Sequence, residues 1–251
     1  MRILLNGCLG RMGRAIAEQA AGADDCTVVA GIDVAAGETS FPVYPIPAAC
    51  QEAADVLIDF SSPAALADEL AYAVEKKIPL VLCTTGLDAA QLAAVEQAAQ
   101  HIPVFFSSNM SVGVSVLAAL CKKAAAVLGN TFDVEILEMH HNQKLDAPSG
   151  TALSLAKAVE DGLSYAPNYV YDRHEKRQKR DKHEIGLSAI RGGNIVGEHQ
   201  VFFAGQDETL ILTHRAQSRC VFAAGALAAA RFIQNKPAGM YAMEDLVNSI
   251  V

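Results

Sequence analysis

The first half of the chain alternates short apolar runs with longer stretches of helical periodicity, and this alternation constrains the fold more than any other feature. The periodicity predicts helices at residues 11–19, 64–75 and 89–100, and strands at residues 2–5, 27–32, 56–60, 80–83 and 104–106. Ser61-Ser62-Pro63 and Asp88 are predicted to begin two of the helices. Short apolar strands that alternate with helices of about ten residues or more are typical of a doubly wound, parallel α/β sheet.

The pattern changes near residue 110, where strands and helices no longer alternate. A helix is predicted over residues 111–128, followed by a strand over 134–139, a helix over 151–160 and strands at 184–190, 197–203 and 209–212. Consecutive strands without crossover helices indicate an antiparallel or mixed sheet, and therefore an α+β domain. We expect domain boundaries that divide the chain into residues 1–110, 111–215 and 216–251. An apolar helix predicted over residues 220–234 could return to the first domain, which the pattern alone does not decide.

A glycine-rich segment, Asn6-Gly7-Cys8-Leu9-Gly10-Arg11-Met12-Gly13, joins the first predicted strand to the first helix. In this context the spacing G-x-x-G-x-x-G predicts a dinucleotide-binding turn. Gly7 permits a tight turn, Gly10 lets the backbone approach a pyrophosphate, and Gly13 allows the helix to pack closely on the strand. The N–H groups at the helix start favour the phosphates. A glycine-rich turn without a ligand is the alternative.

Asp33 ends the second predicted strand, 20 residues after Gly13. A carboxylate at this place accepts hydrogen bonds from ribose hydroxyls and repels a 2′-phosphate. Val34 follows it, so no adjacent cation compensates, and the sequence favours NADH over NADPH. An ordinary aspartate that caps a loop is the alternative.

Two further segments follow predicted strands, at the sheet edge where open α/β sheets bind their ligands. Cys83-Thr84-Thr85-Gly86 ends one strand and Ser107-Ser108-Asn109-Met110 ends the next. Small hydroxyl side chains and a glycine are suited to hold the nicotinamide half of a dinucleotide. Polar residues are also common in ordinary loops, so each tetrapeptide alone carries little weight.

The most specific stretch is residues 135–152, E-I-L-E-M-H-H-N-Q-K-L-D-A-P-S-G-T-A. It brings titratable and anion-binding residues into close succession: His140, His141, Lys144, Asp146, Ser149, Gly150 and Thr151. Histidines can transfer protons near pH 7 or bind carboxylate, and the lysine adds positive charge. The N–H groups of the predicted helix start bind anions. No metal is expected, because adjacent histidines point to opposite faces of a strand and no third ligand is near.

These motifs resemble one known family. Four stretches carry the resemblance: G-x-x-G-R-M-G at the start, Asp59-Phe60-Ser61 before Pro63, E-x-H-H-x-x-K-x-D-A-P-S-G-T-A, and Arg191-Gly192-Gly193-Asn194-Ile195-Val196-Gly197-Glu198-His199. They are similar to 4-hydroxy-tetrahydrodipicolinate reductase, also called dihydrodipicolinate reductase, over nearly the whole chain. The resemblance implies a Rossmann domain completed by the C-terminal helix, and a central α+β domain that binds substrate and forms a homotetramer. It also implies reduction of a cyclic imine-type dicarboxylate by NADH or NADPH, in lysine and diaminopimelate biosynthesis.

The resemblance implies a role for each matching residue. His140 is the expected proton donor or acceptor and Lys144 the expected proton donor, with the hydride coming from the nicotinamide. Substrate contacts are expected from His141, Lys144, Ser149, Gly150 and Thr151. Cofactor contacts are expected from the glycine turn, Asp33 and two strand ends, namely Gly7, Cys8, Leu9, Gly10, Arg11, Met12, Cys83, Thr84, Thr85, Ser107, Ser108, Asn109 and Met110.

Composition excludes several classes of protein. The net charge of −8, from 20 basic and 28 acidic residues, argues against a nucleic-acid binder. No run of about 18 apolar residues predicts a membrane span, and no export signal is visible. We therefore expect a cytoplasmic enzyme without a membrane partner. The six cysteines occur singly, without C-x-x-C spacing, and are predicted to be buried free thiols.

Residues 172–184 hold six of the 20 basic residues. A solvated mobile loop and a flexible cationic loop beside an anionic substrate or cofactor are both open interpretations of this charged segment.

Two other functions also stay open at this point. Another NAD-linked dehydrogenase of the same architecture would share the first half of the chain, but would not require His140-His141-x-x-Lys144. A non-catalytic NAD(H)-sensing module would need a DNA-binding or partner helix, and the sequence shows no separate helix-turn-helix segment.

Overall fold

The computed structural model describes residues 1–174 and 177–249, which form two compact units. Unit 1 comprises residues 1–112 and 219–249, so both parts of the chain that flank the centre build it, and unit 2 comprises residues 113–218. The predicted boundaries after residues 110 and 215 lie within a few residues of this division. Glu175 and Lys176 of the charged segment, and the last two residues of the predicted third segment, lie outside the described residues.

The helices and strands follow one another in an order that alternates at first and then becomes irregular. In chain order they are β1 (Arg2–Asn6), α1 (Arg11–Ala21), β2 (Thr27–Ile32), β3 (Val43–Tyr44), β4 (Val56–Asp59), α2 (Leu66–Lys76), β5 (Leu80–Leu82), α3 (Ala89–Ala98), β6 (Pro103–Phe106), α4 (Val112–Leu128), β7 (Asp133–His140), α5 (Gly150–Glu160), β8 (Asn168–Val170), β9 (Glu184–Arg191), β10 (Gly197–Ala204), β11 (Thr209–Ala216), α6 (Cys220–Ile233), β12 (Gly239–Tyr241) and α7 (Met243–Asn248).

Unit 1 contains a seven-stranded sheet in the order β12-β6-β5-β4-β1-β2-β3. All neighbouring strands are parallel, which confirms the predicted doubly wound sheet. The chain runs outward from β1 to β3 and then continues at β4 on the other side of β1. Ligands of open α/β sheets bind outside the carboxyl ends of the strands at such a reversal. Asn6 and Asp59, the last residues of β1 and β4, therefore lie at the floor of the expected ligand crevice.

Alternate side chains of the strands pack against helices on the two faces of this sheet. Ile3 of β1 belongs to one apolar cluster with residues of α1 and α6, whereas Leu4 belongs to a second cluster with residues of α2 and α3. Gly225 lets α6 approach the segment after β6, because a Cβ there would lie only 1.6 Å from the carbonyl oxygen of Met110. The apolar helix predicted over residues 220–234 thus completes the core of unit 1.

Unit 2 contains a five-stranded sheet in the order β11-β10-β7-β9-β8. β10 is antiparallel to β7 and β11, whereas β9 is parallel to β7 and β8, which confirms the predicted mixed sheet. Val134 and Ile136 of β7 pack against Leu117 of α4 and Leu155 of α5. The strand register places five apolar side chains on the opposite face, where each stays half-buried or exposed: Leu137, Met139, Ile190, Phe202 and Ile211.

Short elements and one helix start differ from the prediction. The strands β3, β8 and β12 and the helix α7 were not predicted, because segments of this length show no clear periodicity. Ser62 stands at the cap position before Pro63 but makes no capping hydrogen bond, and a 3₁₀ turn (Pro63–Ala65) precedes α2. Asp88 is confirmed as a helix cap, since its Oδ1 accepts a hydrogen bond from the Gln91 N–H at 2.8 Å.

All six cysteines are free thiols, as predicted. Their predicted burial is correct for Cys8, Cys26, Cys83 and Cys121. It is wrong for Cys220, which is exposed at the start of α6, and Cys50 is only half-buried.

Candidate active site

The glycine turn between β1 and α1 is tight and closely packed. Gly7 has a positive φ of 75°, and a Cβ there would lie 2.5 Å from the carbonyl oxygen of Phe60. A Cβ at Gly13 would lie 2.2 Å from the carbonyl oxygen of Gly7. α1 begins after Gly10 without a side-chain cap, so the N–H groups of its first turn and the helix dipole favour an anion.

Asp33 lies beside this turn, directly after β2. Its Oδ2 accepts a hydrogen bond from the Leu9 N–H at 3.0 Å, and its Oδ1 accepts one from the Ala35 N–H at 3.0 Å. Each oxygen keeps a lone pair for a further donor, such as a ribose hydroxyl. Val34 is 97% exposed. The carboxylate is therefore held in place at the edge of the turn, with an apolar residue as its neighbour.

A cavity of about 430 Å³ opens at this edge of the sheet. Gly7, Gly10 and Asp33 line it, together with Phe60 and Ser61 from the segment after β4. The lining combines a helix start, a fixed carboxylate and apolar surface. This combination fits the pyrophosphate and the ribose of a dinucleotide.

The other predicted cofactor residues do not all present their side chains at this edge. Four are buried in the core, so that only their backbone can face a ligand: Cys8, Cys83, Thr84 and Met110. Four are half-buried, namely Leu9, Met12, Ser107 and Asn109, and three are exposed, namely Arg11, Thr85 and Ser108. The segments after β5 and β6 follow neighbouring strands of the sheet but do not line the 430 Å³ cavity.

Two carboxyl groups lie buried beneath this edge, and the sequence did not assign either to a site. Asp59 ends β4, Glu69 lies on α2, and both are 0% exposed. Asp59 Oδ1 accepts a hydrogen bond from the Ser61 N–H at 2.9 Å, whereas neither oxygen of Glu69 has a partner among the described residues. Burial raises the pKa of both groups, and the charge of Asp59 contributes to a pKa of Glu69 well above its ordinary value. Glu69 is therefore a neutral acid in the fold.

We predict that Glu69→Gln stabilises the protein at pH 8 and has a smaller effect at pH 5. In the unfolded chain this carboxyl ionises near its ordinary pKa of 4.5, whereas in the fold it stays protonated. The favourable contribution of Glu69 to the stability of the fold is therefore complete below pH 4.5. It is lost as the pH rises toward the raised pKa that Glu69 has in the fold. Urea unfolding at both pH values measures the effect, with the exposed Glu96→Gln as control. Destabilisation at pH 8 would contradict a neutral Glu69.

In unit 2, Arg191 of β9 holds the buried carboxylate of Glu138 on β7. Arg191 Nη1 donates to Oε2 at 2.8 Å and Nη2 donates to Oε1 at 2.6 Å, while the Ser149 N–H donates to Oε1 at 3.0 Å. Burial raises the pKa of Glu138, but the hydrogen bonds from Arg191 and His140 outweigh it, so the pKa lies below its ordinary value. Glu138 is therefore ionised although its side chain is 0% exposed.

His140 lies two residues after Glu138 and projects from the same face of β7. Its Nδ1 is 2.6 Å from Glu138 Oε2. Because an ionised carboxylate can only accept, Nδ1 carries a proton and, in the neutral ring, Nε2 keeps a lone pair. Burial lowers the pKa of His140, and the adjacent carboxylate offsets this only in part. The neutral imidazole is therefore favoured near pH 7.

Lys144 lies in the loop between β7 and α5. Its Nζ is 2.9 Å from Asp146 Oδ1, and its backbone N–H donates to the carbonyl oxygen of His141 at 3.2 Å. Arg191 Nη2 donates to the carbonyl oxygen of Asp146 at 2.6 Å. One arginine thus fixes the carboxylate that contacts His140 and also fixes the loop that carries Lys144.

The predicted helix start is present at α5, with Ser149 as its buried N-cap. Ser149 Oγ accepts a hydrogen bond from the Ala152 N–H at 3.1 Å and lies 3.1 Å from Nε2 of His199. The ring of His199 lies 5.2 Å from that of His140, and burial lowers the pKa of His199 to about 4. The predicted substrate residues are therefore grouped at one end of the sheet, with Gly150 exposed and His141 and Thr151 half-buried.

Sequence reasoning missed three members of this arrangement, Glu138, Arg191 and His199. One signal was available for Glu138, since a residue two positions before His140 in a predicted strand shares its face. Arg191 and His199 begin and end one of the stretches that carry the family resemblance. They lie on other strands, opposite His140 and Glu138 respectively. That register depends on pairing between distant segments, which hydrophobic patterning did not specify.

The charged segment, residues 172–184, contacts the other end of β7. Arg180 donates to Asp133 and to Glu135 at 3.0 Å each, and Arg173 donates to Glu135 at 2.8 Å. Since β7 begins at Asp133 and ends at His140, these ion pairs lie at the end away from the candidate site. Neither of the open interpretations describes Arg173 and Arg180, because both are held on the sheet by acidic partners.

Within residues 1–174 and 177–249, no group of three or more His, Cys, Asp or Glu side chains is placed to hold a metal ion. No helix in these same ranges is long and apolar enough to cross a membrane.

Comparison with known proteins shows similarity along the whole chain. Residues 1–110 match the family described as "Dihydrodipicolinate reductase, N-terminus", and residues 113–247 match "Dihydrodipicolinate reductase, C-terminus". Two relatives are both named 4-hydroxy-tetrahydrodipicolinate reductase. The protein from Caldanaerobacter subterraneus subsp. tengcongensis is 48% identical over 247 residues, which is 98% of each chain. The protein from Clostridium tetani is 46% identical over 250 residues, which is 99% of this chain and 98% of that one.

A solved structure shares the fold. The structure described as dipicolinate-bound dihydrodipicolinate reductase from Paenisporosarcina sp. TG-14 has a TM-score of 0.80 and 22% identity, and covers 98% of both chains. A DAP dehydrogenase from C. glutamicum has a TM-score of 0.57 and 16% identity, and covers 98% of this chain and 95% of that one. Because a reductase and a dehydrogenase with different names share this architecture, the fold alone does not identify the reaction.

Proposed function

Because the chain belongs to the dihydrodipicolinate reductase family, we propose that it reduces 4-hydroxy-tetrahydrodipicolinate to tetrahydrodipicolinate with NADH or NADPH and one proton, while the 4-hydroxyl group leaves as water. This is a step of lysine and diaminopimelate biosynthesis. The observation that carries the proposal is the grouping of His140, Lys144 and the start of α5 at one end of the sheet in unit 2. Another dehydrogenase of the same architecture would not require this group of residues.

Unit 1 supports the proposal with a site that fits the cofactor. The start of α1 after Gly10 would hold the pyrophosphate, and Asp33 would accept hydrogen bonds from a ribose. A bound nicotinamide dinucleotide supplies the hydride. The chain itself contributes the binding contacts and the orientation.

Unit 2 supports the proposal with groups that bind carboxylates and move protons. The substrate is a dicarboxylate, and Gly150, Thr151 and His141 offer donors for its anionic groups. Reduction of the ring also needs one proton on carbon. Lys144 carries a proton as an ammonium, and it can stabilise charge on the ring nitrogen. Neutral His140 can take up a proton at Nε2 and pass it on, so both residues are able to serve as the donor.

We predict that His140→Gln and Lys144→Ala each lower kcat by roughly 10²–10⁴-fold, with little change in the KM for NADH. The reason is that a proton donor acts on the transition state, whereas the cofactor binds through unit 1. The assay follows NADH oxidation after adding the product that the preceding lyase forms from pyruvate and aspartate semialdehyde.

Thr151→Val is the matched comparison for these variants. It removes one hydroxyl and should mainly raise the substrate KM, by the equivalent of about 1–3 kcal/mol. If His140→Gln and Lys144→Ala both keep more than roughly a third of the wild-type kcat, far above what loss of a proton donor leaves, the catalytic assignment is wrong.

We predict that NADH binds at least as well as NADPH. The Asp33 carboxylate is fixed beside the glycine turn, and exposed Val34 offers no cation for a 2′-phosphate. Steady-state kinetics with both cofactors measure the preference. A KM for NADPH about tenfold below that for NADH, equivalent to roughly 1.4 kcal/mol, would contradict it and would direct attention to Arg11.

We also propose that the chain forms a homotetramer through unit 2. On one face of its sheet the apolar side chains of Leu137, Met139, Ile190, Phe202 and Ile211 are half-buried or exposed, and exposed apolar side chains commonly mark interfaces. Light scattering of the 26.5 kDa chain should give about four times this mass. A monomer at micromolar concentration would refute the proposal.

A further inference from the structure

The environment of Glu138 is more elaborate than a simple ion pair requires. Three elements direct hydrogen-bond donors at its two oxygens: Arg191 from β9, the Ser149 N–H from the start of α5, and His140 from β7 itself. The carboxylate has no solvent exposure. If the carboxylate became an amide, only one of its two oxygens could still accept hydrogen bonds, and the other position would become a donor.

We propose, resting on the proposed function, that Glu138 is a positioning residue that holds His140 in the Nδ1–H tautomer, so that Nε2 is the nitrogen that exchanges a proton with the substrate. Arg191 extends this positioning to Lys144, because the same guanidinium binds the Asp146 carbonyl oxygen in the loop. Glu138 thus orients His140, and Arg191 orients the loop that carries Lys144. Neither Glu138 nor Arg191 touches the reacting atoms in this account.

The surroundings of the imidazole agree with this assignment. Nδ1 is engaged by Glu138 at 2.6 Å, whereas Nε2 has no hydrogen-bond partner among the described residues. Nε2 lies against Gly197 of β10, where a Cβ would stand 3.0 Å away. The glycine therefore keeps this side of the ring free of a side chain. The side chain of His140 is 12% exposed, so a ligand can still reach part of the ring.

The charges that face His140 are mixed, and Glu138 supplies the negative one. Arg191 lies opposite His140 on β9, Lys144 lies in the adjoining loop, and neutral His199 lies on β10. His214 of β11 lies opposite His199 in the register. Removal of the Glu138 charge would leave the ring facing two cations. Protonation of His140 would then become less favourable, so its pKa would fall. The part of the pH–rate profile that depends on His140 should therefore shift to lower pH.

Glu138→Gln tests the proposal most directly. The amide oxygen can keep the donors from Ser149 and from Arg191 Nη2, and the NH₂ group then faces Nδ1 of His140. Nδ1 must accept, so the proton moves to Nε2, which is the wrong tautomer for the reaction. Nitrogen-15 NMR of the histidine rings should show Nδ1–H for His140 in the wild type and Nε2–H in Glu138→Gln. The kcat should fall roughly tenfold or more, with the KM for NADH unchanged.

Glu135→Gln is the matched control on the same strand. Glu135 projects from the opposite face of β7 and pairs with Arg173 and Arg180. The substitution removes the same charge without touching His140. We expect the wild-type tautomer, kcat and pH profile. A change equal to that in Glu138→Gln would mean that general loss of negative charge, and not positioning of His140, explains the result, and would overturn the proposal.

Glu138→Asp and Arg191→Lys provide a second test if Glu138→Gln does not fold. Aspartate keeps the charge and should retain Nδ1–H, with kcat above that of Glu138→Gln. Lysine keeps the positive charge but not the two-pronged contact, so kcat should fall while the KM for NADH stays constant. Wild-type kcat per folded molecule in both of these variants, with only a lower melting temperature, would identify a purely structural role and overturn the proposal.

Different results would exclude the reductase function and the positioning role of Glu138. If wild-type protein does not oxidise NADH with the lyase product, the proposed function fails, but the NMR measurement needs no substrate and still decides the tautomer. If the wild type is active and Glu138→Gln keeps Nδ1–H with kcat within about twofold of the wild type, positioning by Glu138 is excluded and the reductase function stands.

Discussion

Glu138 carries a negative charge at a position without solvent exposure, and a charge in such a place is stable only when donors surround it. The fold supplies them from a neighbouring strand, from a helix start and from the next residue on the same face of β7. The hydrogen bonds to this one carboxylate therefore fix the positions of β7, β9 and the start of α5 relative to one another. The same hydrogen bonds fix His140 and the loop that carries Lys144. The arrangement of the site therefore follows from the need of a buried negative charge for donors.

In unit 1 the candidate cofactor site is built mainly from backbone groups and not from charged side chains. Its site depends on close approach, which glycines permit at Gly7 and Gly13, and on a helix start that no side chain caps. Asp33 lines its 430 Å³ cavity beside the turn, and two backbone N–H groups hold its carboxylate. Beneath the same edge, the carboxyl group of Glu69 is also buried, but it is neutral and not ionised. Because its oxygens have no partner within residues 1–174 and 177–249, Glu69 stays neutral, whereas Glu138 stays charged because Arg191 pairs with it.

The sequence predicted those features that depend on local chemistry. The alternation of strands and helices, the glycine turn after β1, the Asp88 cap and the grouping of His140, Lys144 and Ser149 can each be read within about twenty residues. Features that depend on pairing between distant segments could not be read in this way. Arg191 reaches Glu138 across a register between residues 53 positions apart, and the burial of Glu69 depends on how α2 packs. The role of Arg180 depends on the folded position of Glu135, not on the charge of its own segment.

A double-mutant cycle of kcat measures whether Glu138 acts through His140. The four proteins are the wild type, Glu138→Gln, His140→Gln and the variant that combines both substitutions. Once His140 is absent there is no tautomer left to fix, so the double variant should have the kcat of His140→Gln within about twofold. If instead the two losses multiply, the two residues act independently and Glu138 does not act through His140.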